Sequence, residues 1–269
     1  MKILIIGNGN MGKTYARSLL NSYYTAPANL YLLDVKELTD DFLKEVPSQN
    51  RSTLPNANIG LADIILLAVK PQDFDALGDQ IVSYLHPGQI VLSIMAGVKM
   101  SHIESLLHTP KIVRAMPNLP AQIGMGMTVF TCTPALDKKE LFIIQNLLNA
   151  TGKSIYVESE ALIDAATAIS GSGPAYVYYF MQAMIDQAIL MGFSKAEAER
   201  MVNQTFMGAV HLHNQYNYTC SEWIDRVASK GGTTEAALRS FQHNDLQNNI
   251  ADGLQKALKR AVELGGMKK

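Results

Sequence analysis

The sequence predicts an α/β half built on a mostly parallel sheet, followed by an all-helical half. Short apolar runs alternate with helix-like segments over residues 1–158, the arrangement of successive βαβ units. Those runs are apolar almost without interruption, as strands covered on both faces must be. After about Ser159 no convincing strand occurs, only helical patterns. A chain of 269 residues has room for one large domain or two modest ones. We place the boundary so that residues 1–158 form one domain and 159–269 the other.

The elements follow in order. Lys2–Gly7 is a β-branched run closed by glycine, a buried strand. Met11–Asn21 is the first helix. Leu30–Val35 and Ile64–Val69 are strands, the latter closed by Pro71. Gln89–Met95 and Lys111–Met116 follow, with a short helix at Ser101–Leu107 between them. Gly126–Thr131 and Ser154–Val157 are two more strands, flanking a helix over Asp137–Asn149. Pro174–Met191 is a long helix, with proline tolerated at its first position and Gly192 as its stop. Ser194 with Glu197 forms a capping-box pattern for a helix to about Asn214. Ser221–Val227, Glu235–Gln242 and Asp245–Leu264 are three further helices.

Composition narrows the class. There are 23 basic and 24 acidic residues, a net charge of −1, whereas nucleic-acid and membrane surfaces lean on a basic excess. The two cysteines, Cys132 and Cys220, support neither a disulfide scaffold nor a Cys-rich zinc site. The N-terminal apolar run is too short for a signal-peptide core, and no apolar stretch reaches the length of a membrane span. We therefore expect a cytoplasmic protein with no metal, no nucleic acid and no membrane among its partners. His86, His102, His108, His211, His213 and His243 show no metal-ligand spacing and read as structural or surface residues.

The long helix carries apolar residues nearly all round: Ala175, Val177, Tyr178, Tyr179, Phe180 and Met181. A helix of that kind is buried on all sides. A domain of about 110 residues has difficulty burying it alone, so a partner subunit is expected. The alternative is burial within its own domain.

Gly7-Asn8-Gly9-Asn10-Met11-Gly12 joins the first strand to the first helix. In this context Gly7 allows the tight turn, Gly9 lets backbone approach a pyrophosphate, and Gly12 lets helix pack on strand. The helix N-terminus adds N–H donors and a partial positive charge. Asp34 closes the second strand about twenty residues further on, where a carboxylate accepts ribose hydroxyls. A carboxylate there repels a 2′-phosphate and favours NADH over NADPH; Lys36 softens that repulsion. Ala68-Val69-Lys70-Pro71, Ala96-Gly97 and Met116-Pro117-Asn118 follow later strands and flank the same crevice. Lys70 is either an anion contact or a solvated loop lysine.

A second glycine-rich pair lies in the helical half. Ser170-Gly171-Ser172-Gly173-Pro174-Ala175-Tyr176 precedes the long helix. Ser229-Lys230-Gly231-Gly232-Thr233-Thr234 opens a later one. Glycines and hydroxyls at a helix start make an uncharged anion cradle suited to a carboxylate. Simple N-capping by Thr233 or Thr234 is the alternative.

At these motifs the chain resembles the pyrroline-5-carboxylate reductases. The resemblance runs the whole chain: GNGNMG, AVKP, AMPN, SGSGPAY and SKGGTTEAAL, in that order. It implies a Rossmann domain, an all-α dimerisation domain, and hydride transfer from NADH or NADPH to a cyclic imine, giving L-proline. It implies that Gly7, Asn8, Gly9, Asn10, Met11, Gly12, Asp34, Ala68, Val69, Lys70, Pro71 and Ala96 bind the cofactor. It implies that Gly231, Gly232, Thr233 and Thr234 hold the substrate carboxylate, that Ser229 assists, and that Thr234 is the catalytic residue, hydrogen-bonded to the imine nitrogen. It implies a homo-oligomer, a dimer at least, with a higher assembly of dimers as an open alternative. Two positions depart from the family pattern. Lys230 stands where the family usually has proline, and Asp34 where NADPH-preferring members tend to carry a small polar residue.

Imine reduction needs no protein general base, because the electrophile carries its own proton and the cofactor supplies the hydride. Apart from Asp34, no His, Asp or Glu stands in a recognisable catalytic motif. Two rival readings are a β-hydroxyacid-type dehydrogenase and a non-catalytic NAD(P)-binding regulatory homologue. The first requires a catalytic lysine on the first long helix, and residues 174–191 contain none. The second has no need of the Ser229–Thr234 cradle.

Overall fold

Eight strands build the sheet of the computed structural model, which describes residues 1–36 and 41–266. They are β1 (Ile3–Ile6), β2 (Leu30–Leu33), β3 (Arg51–Ser52), β4 (Ile64–Leu67), β5 (Ile90–Ser93), β6 (Ile112–Met116), β7 (Gly126–Cys132) and β8 (Gly152–Tyr156). Their order is β3-β2-β1-β4-β5-β6-β7-β8. Every pairing is parallel except β6 with β7. The order runs outward in both directions from the β1–β4 pair, where Ile6 lies beside Leu67. That reversal opens a crevice at the carboxyl ends of the two strands.

The continuous apolar runs have a direct cause. Ile3, Ile5, Leu30, Leu32, Ile64 and Leu66 face one layer, with Tyr15, Leu19, Ile144 and Leu147. Leu4, Ile6, Leu33, Ile65 and Leu67 face the other, with Phe74, Ile81, Ile103 and Leu107. Successive side chains alternate between faces, and here both faces are buried. The first layer consists of α1 (Asn10–Asn21) and α4 (Lys138–Asn149), the second of α2 (Phe74–Ile81) and α3 (Met100–Leu107). Asp137 starts α4 with a reciprocal capping box, Glu140 N–H donating to Asp137 Oδ1 at 2.8 Å.

Two elements among residues 1–158, short 3-10 turns aside, lie beyond the sequence reading. β3 is a two-residue polar extension of the sheet edge. α2 is obscured by Pro71 ahead of it and Gly78 within it. Gly78 is there for packing: a Cβ would lie 2.2 Å from Leu106 Cδ2 of α3.

The chain divides into two compact units, one of Met1–Ser172 with the segment from Ala257 on, the other Gly173–Lys256. The first unit extends past residue 158 because α5 (Ala161–Ala166) and the π-turn after it (Thr167–Gly171) are tied to the sheet. Arg114 of β6 is 1% exposed. Its Nη1 donates to Glu160 at 3.0 Å and its Nη2 to Asp164 at 2.7 Å. Glu160 also accepts Met100 N–H at 2.8 Å.

The second unit is helical: α6 (Gly173–Leu190), α7 (Lys195–Gln215), α8 (Cys220–Val227), α9 (Thr233–His243) and the start of α10 (Leu246–Gly266). Ser194 caps α7 with Glu197 as expected, and its hydroxyl and N–H hold the Glu197 carboxyl below its ordinary range. Thr219 and Glu222 repeat the device on α8. α6 has no buried residue: Tyr179 is 78% exposed and Leu190 80%. Burial of this helix within its own domain is thus corrected, because the chain alone leaves its apolar surface open. None of the described helices is long and apolar enough to cross a membrane.

Candidate functional site

The first candidate site is the loop from β1 to α1. Gly7 has φ +94°, and a Cβ there would lie 2.8 Å from the Ala68 carbonyl and Val69 nitrogen. A Cβ at Gly12 would lie 1.9 Å from the Gly7 oxygen. These two glycines are required by the protein's own packing, as the sequence reading held. Gly9 is different: a Cβ there would meet nothing within 4 Å. Nothing among the described residues demands glycine at that point, and the open space is what close approach by a pyrophosphate would use.

The rest of the loop fits the same ligand. Gly9 is the N-cap of α1, and no side chain caps the helix, so its first amides stay open. Asn8 is 5% exposed, yet among the described residues neither its Oδ1 nor its Nδ2 has a partner. Buried amides without partners are uncommon and mark strain or an interaction completed by another group. Asp34 Oδ2 accepts Asn8 N–H at 2.5 Å, and Oδ1 accepts Lys36 N–H at 2.8 Å. A carboxylate has about four acceptor sites, so among the described residues two remain for a ribose diol to use. Asp34 is thus fixed against the loop that would carry the phosphates. That bracing contact was not readable from spacing.

Around the crevice, Ala68 N–H donates to the Ile6 carbonyl at 2.8 Å, which sets the AVKP loop beside Gly7. Lys70 is exposed and precedes the short turn starting at Pro71. Ala96 is half-buried next to Gly97, whose φ of +76° and close neighbours Leu264 and Gly265 require glycine. Asn118 joins two motifs: its Nδ2 donates to the Ser170 carbonyl at 3.1 Å, and its Oδ1 accepts Met127 N–H at 2.9 Å. Sequence reasoning placed Asn118 in a flanking loop without seeing this bracket, which links residues far apart in the chain.

The second candidate site is the start of α9. Gly232, not a threonine, is the N-cap, and no side chain caps the helix. The capping explanation for Thr233 and Thr234 therefore falls: both lie inside the first turn, with their amides and hydroxyls unpartnered among the described residues. Gly232 N–H donates to the Ser229 carbonyl at 3.0 Å, and Gly231 N–H to Glu235 Oε2 at 2.6 Å. The open donors begin one residue later than the glycines suggest, at Thr233. A Cβ at Gly232 would lie 2.7 Å from Ser229 Oγ, so glycine is what admits that hydroxyl. Such a turn offers dipole, amides and hydroxyls to an anion without a formal positive charge.

The family model for pyrroline-5-carboxylate reductase dimerisation matches residues 160–264. One described as NADP oxidoreductase, coenzyme F420-dependent, matches residues 2–97. The pyrroline-5-carboxylate reductase of Pseudomonas aeruginosa is 33% identical over 269 residues, covering 98% of this chain and 96% of that protein. The chain belongs to the pyrroline-5-carboxylate reductase family. A solved family member from Coxiella burnetii is 30% identical with a TM-score of 0.88, covering 99% of both chains. The Plasmodium falciparum pyrroline carboxylate reductase, solved with NADP bound, is 25% identical with a TM-score of 0.88, covering 99% of this chain and 98% of that one.

Proposed function

We infer that this chain reduces 1-pyrroline-5-carboxylate to L-proline, taking the hydride from NADH or NADPH. The observation that carries this reading is the uncapped start of α9, where a family motif leaves amides and hydroxyls open to an anion. Bound reduced nicotinamide supplies the hydride to the imine carbon. The amides of Thr233 and Thr234 and the Ser229 hydroxyl receive the substrate carboxylate. Thr234 Oγ1 accepts a hydrogen bond from the protonated imine nitrogen, which keeps that proton in the product amine. Gly231 and Gly232 shape the turn. The protein's task is positioning, and no proton need pass through an acid or base side chain.

In this reading Gly9 and the α1 amides of Asn10, Met11 and Gly12 take the pyrophosphate, with Gly7 and Asn8 forming the turn. Ala68–Pro71 and Ala96 line the nicotinamide side. Residues 1–158 serve the cofactor and 159–269 serve dimerisation and substrate, a division the match over 160–264 supports. The exposed apolar face of α6 is covered by a second copy in a homodimer. Two free cysteines and a near-even charge suit a cytoplasmic enzyme with neither a nucleic-acid nor a membrane partner.

The test is absorbance at the reduced-nicotinamide band on mixing protein, NADH and the imine, with the same sample sedimented. A fall in absorbance from a dimer or larger species is expected. Cofactor binding without turnover would favour a regulatory homologue, and an active monomer would remove the assembly.

Cofactor preference is a separate expectation. With Asp34 facing the ribose, NADH serves at least as well as NADPH. Asp34→Ser removes carboxylate–phosphate repulsion worth on the order of 1–3 kcal/mol and shifts the ratio toward NADPH about 10- to 100-fold. It also frees Asn8 N–H, so absolute affinity for NADH falls. A wild type preferring NADPH a hundredfold in kcat/KM would overturn this.

A further inference from the structure

We propose that Glu235 is a positioning residue that holds the substrate loop in its receiving shape; the inference rests on the imine-reductase reading of that loop. In an ordinary capping box the third helical residue reaches back to the N-cap N–H. Here that residue is Glu235 and the N-cap is Gly232, but the carboxylate passes the cap and takes Gly231 N–H at 2.6 Å. The cap's own N–H turns to the Ser229 carbonyl at 3.0 Å. Two bonds therefore close residues 229–235 into one turn, with Gly231 at φ +74° between them.

The second carboxylate oxygen is held from the other side. Glu235 Oε1 accepts Arg239 Nη2 at 2.9 Å, one helical turn on. The pair fixes the side chain's direction and compensates its charge, so an incoming substrate carboxylate does not meet an unpaired anion in the first turn of α9. Adjacent glycines are the most flexible backbone a chain can offer. Without the Glu235 brace, that freedom would have to be lost each time substrate binds. With it, the Thr233 and Thr234 donors are set beforehand, which is how preorganisation acts on affinity.

Three measurements on Glu235→Ala and Glu235→Gln test this: imine kinetics, NADH affinity, and hydrogen exchange at the Gly231 amide. Glu235→Ala is expected to raise KM for the imine about ten-fold, the scale of one hydrogen bond to a charged group. Its kcat and NADH affinity should stay within about two-fold, since Glu235 touches neither the reacting atoms nor the glycine loop of α1. Exchange at Gly231 should accelerate. Glu235→Gln keeps an acceptor oxygen and should restore both KM and protection. Unchanged KM in Glu235→Ala, or a Gln variant as impaired as the Ala one, overturns the proposal. A wild type inactive on the imine overturns the function reading instead. Exchange then decides the brace alone, and unchanged Gly231 protection in Glu235→Ala would dismiss it.

Discussion

Thr234→Ala is expected to lower kcat/KM for the imine by about 10- to 1000-fold, the usual cost of one transition-state hydrogen bond. The loss follows from one hydroxyl. Thr234 sits in the first turn of α9 rather than at its cap, so alanine removes no capping interaction and the backbone amides stay in place. Melting temperature should therefore change little, and NADH affinity should not change. Thr233→Ala is the control, since its hydroxyl is given no contact with the nitrogen; its effect should be much smaller. A Thr234→Ala enzyme with normal imine kinetics would remove Thr234 from the reaction and with it the placement of the substrate nitrogen.

Arg114→Met is expected to destabilise the first unit by roughly 3–5 kcal/mol, because it leaves a buried carboxylate without its cation. Asp164, with a side chain 12% exposed, loses its cation; Glu160, at 28%, keeps Met100 N–H and some water. At about 2–4 °C per kcal/mol for a unit of this size, the melting temperature falls by on the order of 10 °C. Adding Asp164→Leu should recover much of that loss, since the cost lies in the unpaired charge rather than in the missing pair. An Arg114→Met protein melting within about 2 °C of wild type would show the triad to be dispensable. The same substitution loosens α5 and the π-turn after it, so Asn118 should lose its hold on Ser170.

The glycine turn and the strand series were readable because each rests on local rules. A turn needing positive φ selects Gly7, and burial on both faces selects unbroken apolar runs such as Ile64–Leu67. The groups that support the sites were not readable in that way. Arg114 meets Glu160 and Asp164 across about fifty residues of chain, and nothing in their spacing pairs them. Asn118 and Ser170 are separated as widely. Glu235 lay inside a recognised motif, but the sequence marks it only as an acidic residue in a first helical turn, which is common for dipole reasons alone.

By itself the sequence determined the two-half architecture, the family, the two glycine-rich loops and the helix whose apolar surface needs covering. Periodicity, turn chemistry and motif order are properties of neighbouring residues, and they survive without a fold. Tertiary structure alone decided which amides of those loops are open. The amides of Gly231 and Gly232 go to Glu235 and Ser229, and those of Thr233 and Thr234 stay open among the described residues. It alone decided that Asp34 braces the loop between β1 and α1, and that residues 159–172 fold against the sheet through Arg114. A hydrogen bond is specified by the position of both partners to within a few tenths of an ångström, and only the packed chain sets that.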